Sequence, residues 1–203
     1  MPGFNIEDFK SELNFRNGVM RNNKFLITFP SPRVMLGTGG EAALMNRSIE
    51  FWCESINLPG YQLMQHDTRR WTYGPSEKRP FAPNFQSLQC SFIADGEGNI
   101  WNLFNSWLQY IMPHDTEEGF NRTRTLFGGY PYELEYKVNY VTELNIAVFD
   151  ETGKKKPINI ICKEAFPSQV IDTNLNWADT NGTAKVGVVF EYLDWFTRYN
   201  SEE

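Results

Sequence analysis

The sequence predicts a mainly β protein: an antiparallel β-sandwich or barrel with one α-helix on its flank. Three observations favour this fold class. Short apolar runs of strand length recur along the chain between Gly-, Pro- and Asn-containing turns. The 16 Phe, 9 Tyr and 6 Trp among 203 residues suit pleated surfaces and subunit interfaces. Only residues 100–112 carry a long apolar stripe at helical spacing.

The length and composition predict a single domain over residues 1–203 that begins with an arm at residues 1–23. Hydrophobic residues make up 41% and charged residues 22% of the chain, which is typical of a globular protein. The net charge of −6 argues against a protein that grips nucleic acid through its phosphates. No apolar run approaches the roughly 18 residues of a membrane span. The three cysteines are widely separated in apolar surroundings, so we expect buried thiols.

The elements follow in order along the chain. In the arm, residues 6–13 place Ile6, Phe9 and Leu13 at helical spacing. Residues 66–83 form a long basic loop or open hairpin, and residues 165–168 form a turn. Gly-containing or polar insertions are expected at residues 31–48 and 114–131. Strands are predicted at residues 24–29, 49–56, 86–93, 135–150, 157–163, 174–177 and 184–196.

The helix at residues 100–112 has clear start and stop signals. Asp95 and Glu97 precede it as capping and first-turn acids, and Pro113 ends it. Its apolar stripe predicts that one face packs on a sheet. The side chains of that stripe are Ile100, Leu103, Phe104, Trp107, Leu108 and Ile111.

Residues that could support chemistry are sparse. His66 and His114 stand in loops without the spacing of metal ligands, and the sequence predicts no catalytic residue, no metal site and no cofactor. A glycine turn at residues 37–40 departs from the phosphate-binding pattern and leaves a small nucleotide-binding module as a remote alternative. Alternating acids at residues 95–99 lack the spacing of a calcium loop, so helix capping accounts for them better.

The loop at residues 66–83 concentrates four cations in an acidic chain, with several aromatic residues in or beside it. Two interpretations stay open. It is a solvated hairpin with scattered charge, or it docks on an acidic surface of another copy.

The C-terminal third resembles a known family. Residues 164–170 (EAFPSQV), 174–179 (NLNWAD) and 188–195 (VVFEYLDW) are similar to the closing segment of tail tube proteins of T4-like contractile-tailed phages. Upstream, residues 56–60 (INLPG) resemble the Leu-Pro turn of that family. The long loop at 66–83 and the strand and helix at 89–112 also follow its order. The same fold occurs in baseplate tube initiators and in type VI secretion tube proteins.

This resemblance implies a non-enzymatic virion protein, assembled in the host cytoplasm. Hexameric rings would share a continuous inner β-barrel and stack into the hollow tube that conducts phage DNA during sheath contraction. A tube initiator or adaptor of the baseplate is the alternative. The implied partners are further copies, tail sheath, baseplate initiator and tail terminator proteins, with tape measure protein and DNA in the lumen. The candidate contacts between rings are Arg69, Arg70, Trp71, Lys78, Arg79, Asp150, Glu151, Lys154 and Lys155.

Overall fold

The computed structural model describes residues 5–15, 19–30, 49–69, 73–113, 132–151, 156–173, 175–178 and 182–198. Both predicted insertions, at 31–48 and 114–131, lie outside these residues. The described helices are α1 (Ile6–Phe15), α2 (Asn99–Ile111) and α3 (Lys137–Tyr140). The described strands are β1 (Phe25–Thr28), β2 (Cys53–Ile56), β3 (Tyr61–Thr68), β4 (Glu77–Phe85), β5 (Leu88–Ile93), β6 (Thr142–Val148), β7 (Ile158–Ile171), β8 (Lys185–Glu191) and β9 (Asp194–Thr197).

Seven of these strands form one antiparallel arrangement. They pair in the order β1-β6-β7-β8-β5-β2, and β9 pairs with β7 off this path. Strands β3 and β4 pair with each other in a separate two-stranded sheet. The mainly antiparallel β class predicted from the sequence is therefore confirmed.

The long strand β7 connects the two halves of the arrangement. Its first half pairs with β6 on one side and β9 on the other, and its second half, from Phe166, pairs with β8. At the change, Glu164 adopts a left-handed backbone conformation with φ of 51°. Pro167 is then tolerated because the β7–β8 register shifts between Pro167 and Gln169.

Aromatic side chains fill the core between α2 and the strands. Phe104 of α2 contacts Phe92 and Phe190, with ring centroids 4.9 and 6.0 Å apart. Trp107 of α2 is fully buried, and its indole N–H donates to the carbonyl oxygen of Tyr140 at 3.0 Å. The stripe predicted for this helix is therefore its core-facing side.

The start of α2 is stabilised by Asp95, as the sequence predicts, whereas Glu97 precedes the N-cap Gly98 and the first turn contains no acid. The carboxylate of Asp95 accepts from the backbone N–H groups of Asn99 at 3.0 Å and Ile100 at 3.1 Å. Burial opposes ionisation, but these bonds lower the pKa of Asp95 below its ordinary value. Gly98 enters the helix with φ of 74°, a conformation that glycine adopts without steric cost.

The prediction of a closed barrel is wrong for this chain. Within the described strands no ladder joins β1 to β2, so the path stays open. The physical reason is the helix: the buried face of α2 covers the core residues that a closing strand would otherwise cover.

Several predicted boundaries also need correction. Of the segment 49–56, only β2 is a strand, because a turn precedes it with the Trp52 N–H bonded to the Ile49 carbonyl oxygen at 3.0 Å. The predicted turn at 165–168 lies inside β7. Residues 175–177 of the predicted strand 174–177 form no strand, and residue 174 lies outside the described residues. The last predicted strand is divided into β8 and β9.

Candidate assembly surface

The hairpin of β3 and β4 is the most exposed sheet among the described residues. Its ladder runs from the pair Tyr61–Phe85 to the pair Thr68–Glu77, with an irregularity between Met64 and Gln65. Nearly every residue of both strands is exposed. A two-stranded hairpin is marginal on its own in water, so this one is suited to pairing with further strands.

Among the described residues, aromatic contacts anchor the base of the hairpin to the rest of the fold. The ring of Tyr61 lies 6.0 Å from that of Trp195, and the ring of Phe85 lies 6.2 Å from that of Tyr192. The hydroxyl of Tyr192 donates to the Gln86 carbonyl oxygen at 2.7 Å. Burial, followed by the nearby Cys162 and Glu191, raises the pKa of Tyr192 to about 12, so this hydroxyl stays a donor at neutral pH.

Beyond the base, apolar side chains of the hairpin face solvent. Leu63 and Met64 are each 46% exposed, and Phe81 is 61% exposed. The ring of His66 lies 5.8 Å from that of Phe81. His66 therefore packs on an aromatic side chain of the facing strand.

The predicted cations of the hairpin are largely where the sequence placed them. Arg69, Lys78 and Arg79 are exposed, while Arg70 and Trp71 lie outside the described residues. Arg79 forms an ion pair with Glu77 at 3.0 Å. Lys78 stands opposite Asp67 in the ladder. The local acids offset part of the basic character that the sequence predicts for this segment.

Of the four residues after β6 that were predicted to form contacts between rings, the structure describes two. Lys154 and Lys155 lie outside the described residues, and Asp150 is half-buried. Glu151 is exposed; its carboxylate forms an ion pair with Arg21, and its carbonyl oxygen accepts from the ammonium of Lys24. These bonds hold the turn against the chain that enters β1, a structural role that the sequence pattern alone does not reveal.

Two further exposed apolar segments were missed in the sequence analysis. One comprises Tyr132, Leu134, Tyr136 and Val138, which precede β6. The other contains Leu175 and Trp177, between β7 and β8. The signal in the first case is period-two alternation of apolar and polar residues, of which the part from residue 135 onward is predicted as a strand over 135–150. Its side chains are nevertheless uncovered in the single chain.

Beside the hairpin base lies a pocket of about 500 Å³. Its polar lining consists of side chains that can form hydrogen bonds: Asn57, Asn84, Gln86, Ser87, Gln89 and Glu191. No cluster of three His, Cys, Asp or Glu suited to a metal ion occurs in the described part of the chain. None of the helices described is long and apolar enough to cross a membrane.

The cysteines are less uniformly buried than predicted. Cys90 and Cys162 are buried, whereas Cys53 is half-buried, and all three are free thiols. A hydrogen bond with Cys53, together with burial, raises the pKa of Cys90. Burial and the charge of Asp194 raise the pKa of Cys162 to about 12. Both groups are therefore thiols at neutral pH, as expected of core residues.

A comparison of the sequence with models of protein families identifies the family of this chain. A family model described as phage tail tube protein matches residues 20–198. The chain belongs to the phage tail tube protein family. Tail tube proteins are structural components. No curated protein matches the sequence.

Solved structures similar to this tail tube family member come from contractile injection systems. A chain of the anti-feeding prophage baseplate aligns with a TM-score of 0.60 and 11% identity, over 91% of this chain and 98% of that one. A chain of the anti-feeding prophage tube-terminating cap aligns with a TM-score of 0.57 and 13% identity, over 89% and 91%. A chain of the PVC sheath-tube complex in its extended state aligns with a TM-score of 0.53 and 11% identity, over 93% and 96%. At these identities the likeness shows a shared fold.

Proposed function

We propose that six copies of this chain close into a ring, that the rings stack into a hollow tail tube, and that the tube conducts phage DNA. The observation that carries this proposal is the exposed hairpin of β3 and β4. No described strand pairs with the outer edge of either β3 or β4, and their apolar side chains are uncovered; strands from neighbouring copies would satisfy both. Family membership supports the same conclusion.

The charge of the chain is compatible with a conduit. Six copies at −6 each carry −36 per ring. Where part of this charge faces the lumen, DNA meets like charge and passes without being held. Tail sheath, baseplate initiator, tail terminator and tape measure proteins are the proposed partners, and the virion is the proposed location. The contacts proposed between rings include Arg69, Lys78 and the turn that begins at Asp150.

A second role within the same structural class is an initiator or terminating adaptor of the tube. The observation that favours it is the likeness to the baseplate and cap chains of the anti-feeding prophage. Such a protein would form one or a few rings and would not extend into a long tube alone.

Negative-stain microscopy of the purified protein tests the proposal. Rings or hollow rods are the expected result; long rods favour the tube, and single rings favour the adaptor. Met64→Asp with Phe81→Asp should abolish rings while leaving the circular dichroism of the monomer unchanged, because both side chains are exposed. Trp101→Asp on the exposed side of α2 is the matched control and should keep the rings. Native protein that stays monomeric at all concentrations would contradict the proposal.

A further inference from the structure

The alternation of apolar and polar residues seen in β6 begins well before the first residue of that strand. Every even-numbered position from Tyr132 to Val148 holds Tyr, Leu, Val, Thr or Ile. The odd positions from 133 to 139 hold Glu, Glu, Lys and Asn. This is the pattern of one long strand with an apolar face and a polar face.

The structure uses only the second half of this pattern. The even residues of β6 are between 0% and 9% exposed. The large even residues from Tyr132 to Val138 are instead 64% to 86% exposed. We call residues 132–140 the entry segment, since they lead into β6. Apolar residues on a strand pattern that remain uncovered indicate a surface that is buried elsewhere.

The entry segment in the single chain combines an unfavourable backbone conformation with bonds to its surroundings. Lys137 pairs with Glu164, and the Trp107 indole N–H donates to the Tyr140 carbonyl oxygen at 3.0 Å. The Glu135 carboxylate accepts from the Tyr136 N–H and the Asn139 side-chain amide. Tyr132 has φ of 66°, a left-handed conformation that is unfavourable for a non-glycine residue. Helix α3 is a single turn whose N-cap, Tyr136, makes no side-chain capping bond. Backbone bonds tie Tyr132 and Glu135 to the end of α2. Pairing with a partner strand would exchange these backbone bonds for the bonds of a β-ladder and would release Tyr132 from its left-handed conformation.

We propose that the entry segment is a latent strand, which extends β6 and pairs with the outer edge of β3 in a second copy. Strand β3 contains no proline, so each of its residues carries a backbone N–H. Strand β4 contains Pro80 and Pro83, which lack that donor. The outer edge of β3 is therefore the better edge for adding a strand.

The positions of the two elements on one chain fit a head-to-tail contact. Strand β7 lies between β6 and β9. The entry segment leads into β6 on one side of β7, whereas the hairpin base contacts Trp195 of β9 on the other. An interface between two different patches of the same chain produces a ring when the rotation closes.

The two surfaces also match in charge and in apolar area. The entry segment has a net charge of −1 from Glu133, Glu135 and Lys137. Residues 61–85 have four Arg or Lys against two acids, a net charge of +2. The four exposed side chains of the entry segment offer on the order of 500 Å². This is more than half of the roughly 800 Å² per partner in a standard interface. We therefore expect the hairpin of a second copy of the chain to cover the entry segment.

This inference rests on the proposed function, and cross-linking during assembly tests it. A variant with Leu63→Cys and Leu134→Cys places one thiol on β3 and one on the entry segment. Treated with diamide under conditions that give rings, it should form a ladder of disulfide-linked copies on a non-reducing gel. The matched control combines Leu63→Cys with Leu175→Cys and should form no ladder, because Leu175 lies outside the entry segment and is no less exposed than Leu134.

Hydrogen exchange of the unaltered protein supplies a measurement that needs no variant. On assembly, the amides of residues 133–139 and of β3 should exchange at least tenfold more slowly. Rings without the ladder, or with unchanged exchange in both segments, overturn this inference and leave the proposed function standing. Absence of any ring in the microscope contradicts the proposed function, and this inference falls with it.

Discussion

Replacing Trp107 by Phe tests how α2 is fixed to the fold. The side chain is 0% exposed, and its indole N–H donates to Tyr140 at 3.0 Å. Loss of the donor leaves that carbonyl unpaired, at a cost of about 1–3 kcal/mol. The smaller ring leaves a void of roughly 40 Å³, which adds about 1 kcal/mol. We expect Trp107→Phe to lower the free energy of unfolding by about 2–4 kcal/mol.

The assay is urea denaturation followed by circular dichroism, with the midpoint compared at equal slope. Trp101→Phe is the matched control, because Trp101 lies on the same helix but is 47% exposed. Its unfolding free energy should change by less than about 0.5 kcal/mol. If the two variants differ by less than about 1 kcal/mol, the reasoning about the buried indole is wrong.

Three further predictions concern other parts of the fold. Because the pKa of Asp95 is lowered on folding, Asp95→Asn should destabilise the protein at pH 7. The difference should begin to shrink as the pH falls below about 4, the ordinary pKa of an aspartate, and should vanish only below the lowered pKa of the folded protein. Denaturation at several pH values checks this, and a difference independent of pH would refute it. The Thr142 hydroxyl donates to the Pro30 carbonyl oxygen at 2.7 Å. Thr142→Val removes this donor and should lower the free energy of unfolding by about 1–2 kcal/mol, whereas Thr142→Ser keeps the hydroxyl and should lower it less. Equal losses for the two variants in urea denaturation would count against the bond. Iodoacetamide at pH 8 should modify Cys53 first and Cys162 only after unfolding, as mass spectrometry of the peptides can show, because burial keeps Cys162 protonated. Equal rates at the two cysteines in folded protein would contradict that order.

Local signals in the sequence were sufficient to predict those elements whose structure depends mainly on their own residues. Helix α2 follows from its stripe, its acidic start and Pro113, and the bounds differ by one residue from the prediction. Strands β1 and β5 follow in the same way from short apolar runs. The candidate assembly surface was predicted in part from the cations and aromatic residues of residues 66–83. Its bounds were not, since the hairpin strands begin at Tyr61 and end at Phe85.

Local signals predicted the wrong structure where pairing with a distant strand determines the conformation of a segment. The pattern of residues 165–168 predicts a turn because of Pro167, yet pairing with β8 keeps this segment in β7. The alternation of residues 135–150 predicts one strand, yet only Thr142–Val148 finds a partner in β1 and β7. A strand pattern states which face is apolar but does not state what covers it.

The sequence by itself determined the β class, the position of the one long helix and the acidic charge of the chain, because these depend on composition and on spacing between near neighbours. Only the tertiary structure decided that the sheet stays open, that β7 serves both halves of it, and that the hairpin and the entry segment remain uncovered. Those features depend on which distant segments pair, and pairing is settled by packing around Trp107 and its aromatic neighbours, not by any short stretch of chain.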